Sequence, residues 1–214
     1  MKKIIFIAFL GFSCLNAMSI NDGTAYYNKG DHKKAFEIFY ILAKKANDKQ
    51  AQYNTALMFL KGEGVNKSKE DALYWYMKSA NQNHAPSQYS LGYLYQKEAY
   101  KNPTLIKQAQ YWYEKAMGNN FKEAYTNMAY LYFRGYGKFI PKDTRKALAL
   151  FEKAAQLGDS NAQLDLGIIY GWSDEILKNK LKSYHYLKLD LENGNGNAGS
   201  YLDVICKESS WICR

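Results

Sequence analysis

Ala51-Gln52-Tyr53-Asn54-Thr55-Ala56-Leu57-Met58-Phe59 returns 36 residues later as Ser87-Gln88-Tyr89-Ser90-Leu91-Gly92-Tyr93-Leu94-Tyr95. The same register recurs at Ala124 to Tyr132, Ala162 to Tyr170 and Ala198 to Cys206, at offsets of 37, 38 and 36. With the first residue of each block counted as place 0, small or apolar residues fall at places 0, 4, 5, 7 and 8, except for Asp203 at place 5 of the last block. At about 100° per residue those places share one side of an α-helix, which we call helix A.

A second block repeats in step: Ala35 to Phe39, Ala72 to Tyr76, Ala109 to Tyr113, Ala147 to Phe151 and Ser183 to Leu187. A small residue at place 0 is followed by bulky ones at 3 and 4 and a small or apolar one at 8, as in Ala72, Trp75, Tyr76 and Ala80. This is helix B, with the same helical period. Two blocks repeating together exclude chance as the source of the pattern.

The connections carry turn chemistry. Between A and B lie Gly62-Glu63-Gly64-Val65 and Gly135-Tyr136-Gly137-Lys138, where paired glycines permit positive φ. Between B and the next A lie Gly118-Asn119-Asn120 and Gly158-Asp159-Ser160-Asn161, where glycine ends one helix and Asp or Asn is expected to cap the next. Each unit is thus an antiparallel helix pair that cannot bury its apolar face alone and must stack on its neighbours. The expected fold is all-α, an α-solenoid: a right-handed superhelix of about five repeats.

Composition agrees. Hydrophobic residues make up 47% of 214, with 10 Phe, 20 Tyr and 4 Trp, more packable surface than a disordered chain carries. Three Pro against 15 Gly suits helices better than a turn-rich β-sandwich. Trp75, Tyr76, Trp112, Tyr113 and Phe151 occupy matching places and are read as packing between helices rather than as a ligand box.

The pattern Ala-x-x-x-Leu-Gly-x-Leu-Tyr, then Gly-x-Gly-Val, then Lys-Ala-x-x-Trp-Tyr-x-Lys-Ala-Ala resembles the Sel1-like repeat, a relative of the tetratricopeptide repeat. It is carried by Gly62 to Val65 with Ala72 to Ala80, by Leu91-Gly92 with Ala109 to Ala116, and by Lys146-Ala147 with Phe151 to Ala155. The resemblance implies a helical-repeat adaptor or scaffold that binds another protein. Residues 18–50 depart from it, because Tyr26 to Asp31 lead straight into helix B without the four-residue glycine insertion, as in an ordinary tetratricopeptide pair. Residues 51–197 form the Sel1-like array and 198–214 an incomplete capping repeat.

Residues 1–17 read as a signal peptide: Met1-Lys2-Lys3, an apolar run from Ile4 to Phe12, then small residues ending at Ala17. The run is too short to span a bilayer core of about 30 Å, which needs about 20 residues. Cleavage after Ala17 removes Lys2, Lys3 and no acid, so the formal charge of +9 becomes +7. A periplasmic or secreted protein is expected. Lipidation at Cys14 is the competing reading, opposed by bulky Phe12 in Gly11-Phe12-Ser13. Cys206 and Cys213 then remain, either as two inert thiols or as a disulfide. Export favours the bond, which requires the chain to turn between them.

No catalytic constellation emerges. His32, His84 and His185 are read as surface residues, and no two stand at metal-ligand spacing. There is no Gly-x-Ser-x-Gly elbow, no phosphate-binding loop, no Ser-x-x-Lys and no Lys-Thr-Gly. No metal, cofactor or enzymatic activity is expected. A β-lactam or cell-wall hydrolase, which the family resemblance raises, is a weak alternative. The lysines are scattered rather than striped, and export removes nucleic acid as a partner.

Places 3, 6 and 10 of helix A fall on a face separate from the core. They hold polar Asn54, Ser90, Asn127 and Asp165, then Leu57, Tyr93, Tyr130 and Ile168, then Lys61, Lys97, Arg134 and Trp172. Helix A lines the concave side in stacked pairs of this type, so these twelve are the candidate partner-binding ribbon, with aromatic anchors beside cations suited to an acidic protein or peptide. The narrower alternatives are an immunity protein that occludes a secreted toxin and a structural role in envelope assembly.

Overall fold

The computed structural model describes residues 18–194 and 196–213. The leader and Cys14 lie outside the described residues. Eleven α-helices follow one another: α1 (Ile20–Asn28), α2 (His32–Lys45), α3 (Lys49–Lys61), α4 (Lys69–Asn81), α5 (Ala85–Ala99), α6 (Ile106–Gly118), α7 (Lys122–Arg134), α8 (Thr144–Gln156), α9 (Ser160–Trp172), α10 (Lys180–Glu192) and α11 (Ala198–Glu208). Two short 3-10 turns, Pro103–Leu105 and Ser210–Ile212, complete the described elements. The class is the expected one, an all-α solenoid-type repeat of packed helix pairs. Helix A is α3, α5, α7, α9 and α11, and helix B is α2, α4, α6, α8 and α10, with α1 as the first helix A.

Two compact units divide the chain, one running to Leu91 and one from Gly92. In the first, α1 packs on α2, α2 on α3 and α3 on α4. In the second, α6 packs on α7, α7 on α8, α8 on α9, α9 on α10 and α10 on α11.

The A and B helices of a pair meet through one size-complementary contact. Place 5 of helix A is small, and place 4 of helix B is large and buried: Phe39, Tyr76, Tyr113, Phe151 and Leu187 are each at most 3% exposed. A Cβ added to Gly23 would stand 2.5 Å from the Phe39 ring, and one added to Gly167 would stand 2.5 Å from Leu187. Glycine there lets the backbone of helix A lie against the partner's side chain. Burying each such side chain is worth about 1.5–3 kcal/mol.

The paired glycines take the positive φ expected of them, 79° and 69° at Gly62 and Gly64 and 71° and 53° at Gly135 and Gly137. Gly64 has a second reason, since a Cβ there would meet the His32 carbonyl oxygen at 2.1 Å. Asp31, Asp48, Ser68, Asp143, Asp159 and Asn179 cap the helices that follow them. The expected cap from Asn119 or Asn120 is not made: α7 starts after Phe121 with no side-chain cap. Asn120 instead takes a left-handed conformation at φ 55°, as Asn47 and Asn83 do at 51° and 58°. These asparagines supply the turn that Gly158 and Gly194 supply in later repeats, at φ 80° and 88°.

A side chain at place 1 of helix A closes the turns at Asn47, Asn83, Asn120 and Gly158, whereas the helix after Gly194 has Gly199 at that place. Gln52 donates to the Ala43 carbonyl and to Asn47 Oδ1, Gln88 to the Ala80 carbonyl and to Asn83 Oδ1, and Gln163 to the Ala155 carbonyl. The Tyr125 hydroxyl does the same for the Met117 carbonyl. Carbonyls in the last turn of one helix B thus receive a donor from the next helix A, which for Ala80, Met117 and Ala155 adds to a backbone N–H of the turn itself.

At the C-terminal end the chain leaves α11 at Ser209, turns through Ser210–Ile212, and closes a disulfide between Cys206 and Cys213 with Cα atoms 5.6 Å apart. Ile212 packs into a cluster with Leu187, Ala198 and Ile205.

Candidate functional site

The helix-A residues named from the sequence are best taken unit by unit. In the first unit Asn54, Leu57 and Lys61 converge with Thr24, Tyr27, Phe39 and Met58 around a cavity of about 300 Å³. Asn54 and Leu57 are half-buried and Lys61 is exposed. The walls are mostly apolar, and the polar groups are few and placed. The Lys61 ammonium donates to the Tyr27 hydroxyl at 3.1 Å, Tyr27 donates to Glu63 at 2.7 Å, and Lys61 pairs with Glu63 at 3.6 Å. The Tyr27 contact chiefly holds the ammonium above its ordinary pKa, so it stays charged, but Glu63 offsets much of its field. Ser90 spends its hydroxyl on the Pro86 carbonyl within α5.

In the second unit the cations sit on aromatic faces of their own helices. Lys97 lies 5.1 Å from the centre of the Tyr93 ring, and the Arg134 guanidinium 5.4 Å from that of Tyr130. Residues four apart share a helix side, which makes this pairing local. Among the described residues neither Lys97 nor Arg134 has a carboxylate at ion-pair distance.

Other members of the ribbon are engaged in the fold. Tyr130 was expected as a free anchor, but its ring packs edge-on against Phe151 at 5.2 Å and its hydroxyl donates to Asp165 one repeat on. Burial, then that hydrogen bond, pushes the Tyr130 hydroxyl well above its ordinary pKa, and burial also raises Asp165. Asn127 donates to the Tyr113 hydroxyl, and Trp172 lies against Tyr201 at 5.4 Å. Ile168 is half-buried. Lys61, Tyr93, Lys97 and Arg134 are the ribbon members that stand out from the surface, with Leu57 reaching the cavity.

Two features escaped the sequence reading. His84 is not a surface residue: it is 8% exposed, with Nδ1 2.9 Å from Ser87 Oγ and Nε2 3.2 Å from Gln50 Oε1. Ser87 donates onward to Ser79, and Ser79 to the Lys49 carbonyl. Burial, reinforced by the Lys49 ammonium, holds the imidazole below its ordinary pKa. Through Gln50, which donates to Asn54, this buried network reaches the cavity wall. His32 and His185 are half-buried and exposed respectively.

The second is a lysine-on-tyrosine clasp between the helices of a pair. Lys146 and Lys182 each precede place 0 of helix B and donate to Tyr132 and Tyr170, at place 8 of helix A, at 2.7 and 3.0 Å. Their ammonium groups lie 4.1 and 4.6 Å from the ring centres. Lys34 over Tyr26, at 4.3 Å, is the same clasp in the first pair. Tyr170, with help from Glu152, pushes Lys182 up to about 12. The signal was in the repeat, as the lysine of Lys-Ala.

Among the described residues no group of His, Cys, Asp and Glu could hold a metal ion, and no helix is long and apolar enough to cross a membrane.

The Sel1 repeat model matches residues 49–84, 85–117, 122–159 and 160–194. A Sel1 repeat protein from Oxalobacter formigenes has a similar structure, with a TM-score of 0.71 and 29% identity over 90% of this chain and 75% of that one. So does c5321, a protective antigen present in uropathogenic Escherichia coli strains, at 0.70 and 25% over 88% of this chain and 40% of that one. The immunity protein Pa5087 from Pseudomonas aeruginosa is alike in fold, at 0.55 and 22% over 83% of this chain and 68% of that one. No curated protein matches the sequence.

Proposed function

The chain belongs to the Sel1 repeat family, and on that premise we propose that it is an exported scaffold that holds a partner protein against the helix-A faces of its repeats. Sel1 repeats mediate protein–protein interaction and are generally non-enzymatic helical scaffolds. The observation that carries the choice of face is the cavity of about 300 Å³ into which Asn54, Leu57 and Lys61 converge, large enough for an apolar side chain of a partner. The half-exposed Tyr93 supplies a second anchor, on α5.

An acidic partner is supported by Lys97 and Arg134, neither of which has a carboxylate at ion-pair distance among the described residues, although the Arg134 charge is felt by Asp165, more than by Lys61, which Glu63 offsets. Export is supported by the leader-like residues 1–17 and by the Cys206–Cys213 disulfide, which suits an oxidising compartment. Cell fractionation with mass measurement of the N-terminus tests it: a protein beginning at Met18 outside the cytoplasm is expected, and an intact Met1 in the cytoplasm overturns it.

The face is tested by capture from envelope extracts with the protein and with a Leu57→Asp, Tyr93→Ala, Arg134→Gln variant. Partner capture is expected to be lost in the variant at an unchanged melting temperature. Equal capture by both removes the helix-A face. Identification of the captured protein as a secreted toxin would narrow the role to immunity.

A further inference from the structure

The first unit carries a second cavity on a different set of helix faces. Tyr40 and Lys44 of α2, Phe59 of α3, and Asp71, Tyr74, Trp75 and Lys78 of α4 enclose about 280 Å³. Trp75 is buried as part of the packing, with Tyr40 edge-on to it at 5.6 Å, whereas Tyr74 is 52% exposed although it touches Trp75 at 5.1 Å. Lys44 lies 5.7 Å from the Tyr40 ring centre, and Lys78 lies 4.9 and 5.6 Å from those of Tyr74 and Trp75. Among the described residues neither ammonium group has a carboxylate at ion-pair distance, although Asp71 lines the same cavity.

We propose that this furrow between α2 and α4 is a second docking site, separate from the helix-A face, and that it takes an acidic peptide segment of a partner protein. Two unpaired ammonium groups outweigh one carboxylate, so the field favours an anion. The ring surfaces beside them require that the anion be accompanied by apolar groups, as a glutamate next to a leucine or phenylalanine is and inorganic phosphate is not.

The Tyr74, Trp75 and Lys78 side recurs on α6 as Tyr111, Trp112 and Lys115, with Lys115 5.5 Å from the Tyr111 ring centre, but the Tyr40 and Lys44 side is particular to this pair, since α4 holds Met77 and Asn81 at those places. The corresponding register places on α6 and α8 hold Glu114 for Tyr40, Gly118 for Lys44 and Ala149 for Tyr74. With sites on two faces, the protein would join two partners rather than hold one.

The test uses the purified protein and a fluorescein-labelled peptide of alternating glutamate and phenylalanine, followed by anisotropy. Binding is expected to weaken at least tenfold in Lys44→Gln/Lys78→Gln and in Tyr74→Ala, at unchanged melting temperature. It should be kept in Tyr93→Ala/Arg134→Gln, and an equimolar amount of inorganic phosphate should not displace the peptide. The proposal is overturned if the wild type does not bind, if the lysine variant binds as the wild type does, if phosphate competes, or if only the helix-A variant loses binding. That last result would leave the helix-A face standing and remove this one.

Discussion

A Cβ on Gly92 would stand 2.6 Å from the ring of Tyr113, a fully buried side chain whose hydroxyl donates to Gln96 at 2.6 Å and accepts from Asn127 at 3.0 Å. The ring is fixed at its far end and cannot retreat. Gly92→Ala therefore sets a helix-propensity gain of about 1 kcal/mol against an overpacking cost of about 1–3 kcal/mol. A net loss of stability is expected in thermal or urea unfolding. A gain would mean that the ring has room to move.

Gln52→Ala is expected to cost about 1–3 kcal/mol, because it leaves the Ala43 carbonyl without its partner in a fully buried place. Urea unfolding checks this. Exposed Gln108, on the B helix α6, gives the comparison: its replacement by Ala should change stability by less than about 0.5 kcal/mol.

The buried imidazole of His84 makes stability depend on pH. Its folded-state pKa lies below the ordinary 6.5, so the unfolded chain binds more protons between the two values. Stability is fully present above about 6.5, falls as the pH drops through that value, and levels off once the folded-state ring is protonated. Asp165, whose pKa is raised, works in the opposite direction at lower pH. The difference in melting temperature between the wild type and His84→Gln, followed from pH 7.5 to about 5, isolates the histidine. Parallel curves would contradict its burial as a neutral ring.

The Cys206–Cys213 loop is short, and the chain-entropy account gives it about 2–3 kcal/mol. Cys206→Ser/Cys213→Ser is expected to raise amide exchange in α11 and around Ile212, which packs on Leu187 and Ile205, while leaving α1 to α4 unchanged. Exchange that rises throughout the chain would show that the last repeat is not a separable cap.

Most of the fold was legible because it is periodic. Place 0 and place 4 of helix B recur as Ala35 and Phe39 through Ser183 and Leu187, and a contact written five times can be read from spacing alone. The closing of turns by Gln52, Gln88 and Gln163 was missed, although it too repeats, because glutamine in an apolar block reads as surface until its carbonyl partner is seen. His84 misled for the same reason. The ribbon was half legible: Lys61, Tyr93, Lys97 and Arg134 stand out as their angles imply. Tyr130, at the same angle as Tyr93, is drawn in by Asp165 and Phe151, which lie 35 and 21 positions further along and which helical phase does not register.

The central claim is that a partner lies on the helix-A faces, and side-chain oxidation footprinting of the complex with its captured partner tests it most directly. Leu57, Tyr93 and the Arg134 side of α7 are expected to lose reactivity on complex formation, while Tyr111, 47% exposed on helix B, keeps it. Unchanged reactivity at Leu57 and Tyr93 with protection confined to helix-B residues would contradict the account.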